Sequence, residues 1–183
     1  TQLAKLKGCK VFGITSSVEK VEYLKNNGVD VPIVSVNGNY HQQLKEHLGD
    51  QMLDVVFNSV GGTTYKKDSA LLNKGGKIIL YGVADRLSLT KGVLGTLQLV
   101  WKFGFMSPIK VLINSQSIIG INMLRIADYK PKTLKRCLEK VVDMTMDGTL
   151  SPMNGGDFNV DDIDKAHDFL ESRKSVGKVI VKW

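Results

Sequence analysis

The sequence predicts an α/β fold with a doubly wound parallel sheet, on three observations. Short β-branched runs alternate with amphipathic helical segments, which is the pattern of βαβ units. Runs such as LDVVFNSV (53–60) are apolar almost throughout, as in strands covered on both faces. The strand runs end in small, polar or glycine residues, a composition suited to the ligand-binding carboxyl edge of such a sheet.

The elements follow in order. TQLAKLKG (1–8) reads as the second half of a helix stopped by Gly8, with Leu3 and Leu6 on its buried side. Strands are expected at Lys10–Thr15, Pro32–Ser35, Leu53–Asn58, Lys77–Tyr81 and Ser117–Ile121. Helical apolar spacing marks 18–27, 39–49 and 63–74 between them. Gly28 and Gly75 follow the first and third of these helices, as C′ residues of positive φ. From Pro131 the rhythm changes. A longer amphipathic helix runs to Gly148, a loop rich in Gly, Pro and Asn covers 148–156, and a helix is expected near 161–173. That helix opens on Asp161-Asp162, where acids suit the dipole, and GKVIVKW forms a last strand that leaves the main sheet.

In a dinucleotide-binding, Rossmann-type fold the strand order is 3-2-1-4-5-6. The helix that residues 1–7 would finish follows strand 1, and its N-terminus cradles the pyrophosphate. The expectation is therefore a longer chain of which this is a fragment, lacking the first strand and the glycine-rich loop. Residues 1–130 would form the truncated dinucleotide-binding domain and 131–183 the tail.

Composition excludes several classes. Hydrophobic residues make up 43% and charged residues 23%, as in ordinary globular domains. Cys9 and Cys137 are the only cysteines, too few for a disulfide framework, which points to a reduced, cytoplasmic setting. The net charge of +7 comes from lysines scattered singly on solvated helix faces, densest in YKPKTLKR (129–136), so nucleic acid is not the expected partner. The stretch 92–113 is interrupted by Gln98, Lys102, Pro108 and Lys110, short of a membrane span. Its Trp101, Phe103, Phe105 and Met106 read as cover for a neighbouring domain or subunit in preference to a membrane surface. Cys9, Cys137, His41, His47 and His167 show no metal-ligand spacing, and His41 and His47 read as surface residues. There is no G-x-S-x-G nucleophile turn. No tyrosine is followed by lysine four residues on, which removes the short-chain dehydrogenases, and a methyltransferase would place an acid after the second strand.

That position is informative. Where an NAD-binding strand ends in Asp or Glu to hold the ribose 2′-hydroxyl, this chain has Thr15-Ser16-Ser17, with Lys20 one turn on. A 2′-phosphate is matched by hydroxyls and an ammonium and repelled by a carboxylate. On spacing alone, a plain surface lysine accounts for Lys20 equally well.

QLAKLKGCKVFGITSSVEKVEYLKNNGVD, DVVFNSVGG, LLNKGGKIILYGV and AHDFLESRKSVGKVIVKW together resemble the medium-chain dehydrogenase/reductase superfamily. The resemblance is closest to its zinc-free quinone oxidoreductase, zeta-crystallin-like branch. WKFGFMSPIKVLINSQSIIGINM points within that branch to the vesicle amine transport protein subgroup. It covers essentially the whole chain and implies NADPH-dependent reduction of quinones or other α,β-unsaturated carbonyls, without zinc. It implies that Ser16 and Lys20 hold the 2′-phosphate and that Asn58, Val60 and Gly61 lie along the cofactor. Tyr81, Gly82, Val83, Gly120, Ile121 and Asn122 would flank the nicotinamide, and Gly177 and Lys178 belong to a tail segment returning to the cleft. Two departures stand out. Ser35 occupies a position near the adenine ribose where a tyrosine is common, and the GroES-like catalytic domain toward which the tail returns is expected to be missing. A homodimer through strand 117–121 is also implied.

Overall fold

The computed structural model describes residues 1–35, 38–83, 101, 107–172 and 174–183. They form two compact units, Thr1–Tyr40 with Lys135–Trp183, and His41–Leu134.

The first unit begins with α1 (Gln2–Leu6), followed by β1 (Phe12–Thr15), a 3-10 turn (Val18–Lys20), α2 (Val21–Asn26) and β2 (Val31–Val34). β1 and β2 pair in parallel with Thr15 opposite Val34. Val29 and Ile33 are buried beneath this pair. Contrary to expectation, Leu3 and Leu6 are 51% and 54% exposed. The five-residue α1 is held by polar contacts instead: the Gln2 side-chain amide donates to Asn27 Oδ1 and to the Ser151 carbonyl.

Lys5 Nζ donates to both carboxylate oxygens of Asp30 at 2.7 and 2.9 Å, and Asp30 also accepts from the Val11 amide. The Lys5 hydrogen bond, then the Val11 amide, hold the Asp30 carboxyl below its ordinary 3.8. A depressed carboxylate pKa stabilises the fold above the unfolded-state value, and the contribution is lost as pH falls through the folded-state value. Asp30→Asn is therefore expected to be less stable than wild type at neutral pH. The gap should close below about pH 4, as read by urea unfolding at stepped pH.

The second unit contains most of α3 (Tyr40–Leu48), which starts in the first. It continues with β3 (Leu53–Asn58), α4 (Gly62–Ala70), β4 (Leu72–Leu80), α5 (Pro108–Ile113), β5 (Ser117–Gly120) and α6 (Met123–Tyr129). Tyr40, Leu44 and Leu48, each four apart and so on one helical face, are the buried residues of α3. The strands form a parallel sheet ordered β3-β4-β5, with Ile78 of the central strand 1% exposed. Within each sheet the neighbours β1-β2 and β3-β4-β5 match neighbours 2-3 and 4-5-6 of the expected order.

Three expectations fail in this unit. α4 stops at Ala70, and Gly75 (φ +81°) lies inside β4 at a register irregularity, where residues 73–76 bulge between Leu72 and Lys77. β3 is not covered on both faces, since Val55 and Phe57 are 46% and 67% exposed. As an edge strand it sends these alternate residues to an open face, where Phe57 meets only the edge of Tyr81 among described rings. α5 and α6 were not anticipated at all. Of the apolar stretch 92–113, residues 92–100 and 102–106 lie outside the described residues, so the expectation for Phe103, Phe105 and Met106 does too, while Trp101 is exposed.

The chain returns to the first unit along α7 (Pro131–Met146), then β6 (Asn154–Asn159), a 3-10 turn, α8 (Ile163–Glu171) and β7 (Lys178–Lys182). β6 replaces the end of the expected loop and pairs in parallel with β7, apart from the other sheets. Its sequence NGGDFN lacks strand propensity, and backbone fit explains it. A Cβ on Gly155 would stand 2.1 Å from the Val176 carbonyl oxygen, and one on Gly177 (φ +90°) 2.5 Å from that of Met153. Two glycines let the segments cross backbone to backbone. Gly155→Ala is expected to cost about 1–3 kcal/mol, read as a lowered urea midpoint at unchanged slope.

Candidate functional site

Parallel pairing brings the carboxyl ends of the strands in each unit to one edge, so the expected site residues form two groups. In the first unit, Ser35 donates its amide to the Thr15 carbonyl at 2.7 Å, placing the two strand ends side by side. The Thr15 hydroxyl is spent within its own turn, bonded to the backbone of Ser17 at 3.3 Å. The Ser17 hydroxyl donates to the Glu19 carboxylate, which this bond holds below the ordinary glutamate range. The Ser16 hydroxyl is different: it makes no hydrogen bond among the described residues.

Beyond Ser16 opens a recess of about 400 Å³ lined by Ile14, Thr15, Ser16, Lys20, Tyr23, Leu24, Ser175, Val176 and Gly177. Lys20 Nζ donates to the Ser175 carbonyl at 3.1 Å, joining residues 155 apart in sequence. The Gly155–Gly177 crossing is what holds the 175–177 segment in place. Among the described residues, no carboxylate lines the recess. Hydroxyls and an ammonium, together with Ile14, Leu24 and Val176, form a lining suited to an anionic group carried on a flat apolar one. The expected Thr15, Ser16, Lys20 and Gly177 thus meet. Ser35 lies at the same edge without lining the recess, and Lys178, first residue of β7, is exposed and outside it. Tyr23, Ser175 and Gly155 were not anticipated: the first sits visibly three residues after Lys20, and the others are joined to the site by contacts that no local pattern announces.

In the second unit, register aligns Asn58, Leu80 and Gly120 across β3, β4 and β5. Their successors Val60-Gly61, Tyr81-Gly82-Val83 and Ile121-Asn122 therefore share one sheet edge. Asn58, 4% exposed, faces inward. Its Nδ2 donates to Thr64 Oγ1 at 2.7 Å and Asp68 Oδ2 at 2.5 Å, and its Oδ1 accepts from the amides of Val60 and Gly61. Two donors and two acceptor sites are all used, so Asn58 shapes the loop and has no amide atom left for a ligand. A Cβ on Gly82 would meet the Ser59 carbonyl oxygen at 2.7 Å, so that glycine serves the approach of two strand ends. Gly120 is the opposite case: a Cβ there would meet nothing within 4 Å, which leaves a flat approach to the backbone. Tyr81 and Val83 are exposed, and Asn122 caps α6, accepting from the Arg125 amide. Among the described residues no three His, Cys, Asp or Glu side chains cluster to hold a metal, and no helix is long and apolar enough to cross a membrane.

Parallel α/β sheets flanked by helices in this order define a Rossmann-type architecture. The family described as zinc-binding dehydrogenase matches residues 1–139, and the chain belongs to it, within the zeta-crystallin and VAT-1-like branch of the medium-chain dehydrogenase/reductase superfamily. A synaptic vesicle membrane protein VAT-1 homolog of Danio rerio is 26% identical over 99% of this chain and 37% of its own length. An acryloyl-coenzyme A reductase of Sulfurisphaera tokodaii is 25% identical over 99% of this chain and 46% of its own. The chain thus spans less than half the length of these relatives. CurA from Vibrio vulnificus, solved in complex with NADPH, superposes with a TM-score of 0.71 at 24% identity, over 99% of this chain and 51% of that one.

Proposed function

We propose that this chain is the nucleotide-binding part of a zinc-independent, NADPH-dependent oxidoreductase that reduces quinones or other α,β-unsaturated carbonyls. The observation that carries the cofactor reading is the recess at the end of β1, lined by Ser16 and Lys20 and, among the described residues, by no carboxylate. The 2′-phosphate distinguishes NADPH from NADH, and this surface fits it. NADPH supplies a hydride from nicotinamide C4, while the protein binds and orients it. Ser16 and Lys20 hold the phosphate, the Asn58 knot fixes the loop at 59–61, and Gly120 admits the nicotinamide ring against β5. Residues 1–130 act as the dinucleotide-binding domain and 131–183 return toward a catalytic domain. The substrate class is supported by the acryloyl-coenzyme A reductase and by human quinone oxidoreductase, 21% identical over 98% of this chain and 49% of its own length.

The test is steady-state oxidation of NADPH and NADH by the full-length protein with a quinone and an enone. The expected result is turnover with NADPH at a kcat/KM at least tenfold above that with NADH, ten corresponding to ~1.4 kcal/mol. Tight NADPH binding without turnover on either substrate would overturn the enzymatic reading and favour a nucleotide-responsive trafficking module, the role suggested by the vesicle proteins' name. The exposed, unpaired Cys9 and Cys137 suit a reduced cytoplasmic setting.

The proposal includes a homodimer through β5. Among the described residues this strand is an edge of its sheet, and Ile119, like Ile109, Leu112 and Ile113 of α5, presents apolar surface. An open apolar strand edge is an aggregation hazard unless covered, and pairing across a two-fold axis covers it. Sedimentation of the full-length protein should give a dimer at micromolar concentration; a clean monomer excludes this interface.

A further inference from the structure

We infer that Tyr23 is a specificity-determining residue of the recess, its ring forming a wall for an adenine and its hydroxyl donating to the neighbouring 2′-phosphate. The inference rests on the NADPH reading of the same recess and assigns a residue that the strand-end pattern does not contain.

Lys20 and Tyr23 stand three residues apart at the start of α2, the spacing that puts side chains on one helical face. Both line the recess. At about 400 Å³ the recess falls within the roughly 300–1,000 Å³ range of small-ligand sites. That is room for a nucleoside as well as its phosphate. The base needs a flat apolar surface, and Tyr23 with Leu24 and Ile14 supplies the only aromatic wall among the lining residues. Stacking on such a ring is tolerant of orientation and is used widely for bases. The Tyr23 hydroxyl makes no hydrogen bond among the described residues, whereas the nearby hydroxyls of Thr15 and Ser17 are already engaged. A half-buried phenol with an open donor, lining the same recess as an ammonium, is suited to a phosphate oxygen.

The experiment titrates adenosine 2′,5′-bisphosphate and adenosine 5′-monophosphate into the full-length protein by calorimetry, for wild type, Tyr23→Phe, Tyr23→Ala and Lys20→Ala. Tyr23→Phe keeps the ring and shape and removes only the hydroxyl. It should weaken the bisphosphate about three- to tenfold, the size of a single hydrogen bond, and leave the monophosphate within twofold. Tyr23→Ala should weaken both ligands, because the wall goes too. If Tyr23→Phe binds the bisphosphate as wild type does, or loses both ligands equally, the hydroxyl does not read the phosphate and the inference falls. If Tyr23→Ala leaves both unchanged, the wall falls as well. In these cases a wild-type preference for the bisphosphate that disappears in Lys20→Ala leaves the NADPH reading standing. Wild-type protein that binds the two nucleotides alike overturns that reading and this inference together. Should Tyr23→Ala not fold, the isosteric Tyr23→Phe still decides.

Discussion

Replacing Lys20 with alanine in the full-length protein is expected to weaken NADPH binding by roughly ten- to a hundredfold while leaving NADH almost unaffected. A hydrogen bond to a charged group contributes about 1.5–3 kcal/mol, and each 1.4 kcal/mol is about a decade in affinity. Ser16 is exposed at this site, so salt screening reduces the gain, and both nucleotides must be compared at one ionic strength. Lys20 Nζ also donates to the Ser175 carbonyl, which separates two outcomes. If the lysine reads the phosphate, only NADPH suffers. If its chief task is to hold the 175–177 segment against the recess, both nucleotides fall together, and Gly155→Ala should reproduce the pattern.

Asn58→Ala is expected to be the most destabilising single change among the site residues, by about 2–4 kcal/mol in urea unfolding. It strips hydrogen bonds from two backbone amides, a threonine hydroxyl and a carboxylate at a place where little water enters. Asp68 is only 7% exposed, and a buried carboxylate that loses a donor is costly. Asn58→Asp separates packing from electrostatics. It keeps the size but places a second carboxylate within hydrogen-bond distance of Asp68, so one of the pair would have a raised pKa. The destabilisation should be largest at neutral pH and be relieved as pH falls through that raised value. A pH-independent loss equal to that of alanine would show that shape alone matters at this position.

Much of this was legible in the sequence because it is local. Alternation of strands and helices, the positive φ at Gly28, and the five expected strands, two in one parallel sheet and three in another, all follow from short-range pattern. The grouping of Thr15, Ser16 and Lys20 follows from one strand end and one helical turn. What escaped notice depends on distant backbone. β6 forms because glycines let two segments cross, not because its residues favour extended chain. Gly82 reads as a ligand contact by composition, and the structure adds a packing demand against Ser59 that no local pattern announces. Asn58 looks like a polar group offered to a ligand, yet every hydrogen-bonding site it has is turned inward. Residue type alone does not distinguish a polar group that faces a ligand from one that fixes the loop beside it.

The discontinuity of the first unit carries a consequence for biosynthesis. Residues 41–134 are contiguous and can begin to compact as soon as they leave the ribosome, whereas the Lys20 recess needs a wall that arrives 155 residues after Lys20 itself. At ribosomal speeds of about 5–20 residues per second, that is a wait of roughly 8–30 s. During it β1, β2 and α2 stand exposed without their closing segment, and the phosphate-sized opening does not yet exist. A nucleotide held there would therefore not template the early chain; it would stabilise only the finished one, by mass action on a recess whose last wall has just closed.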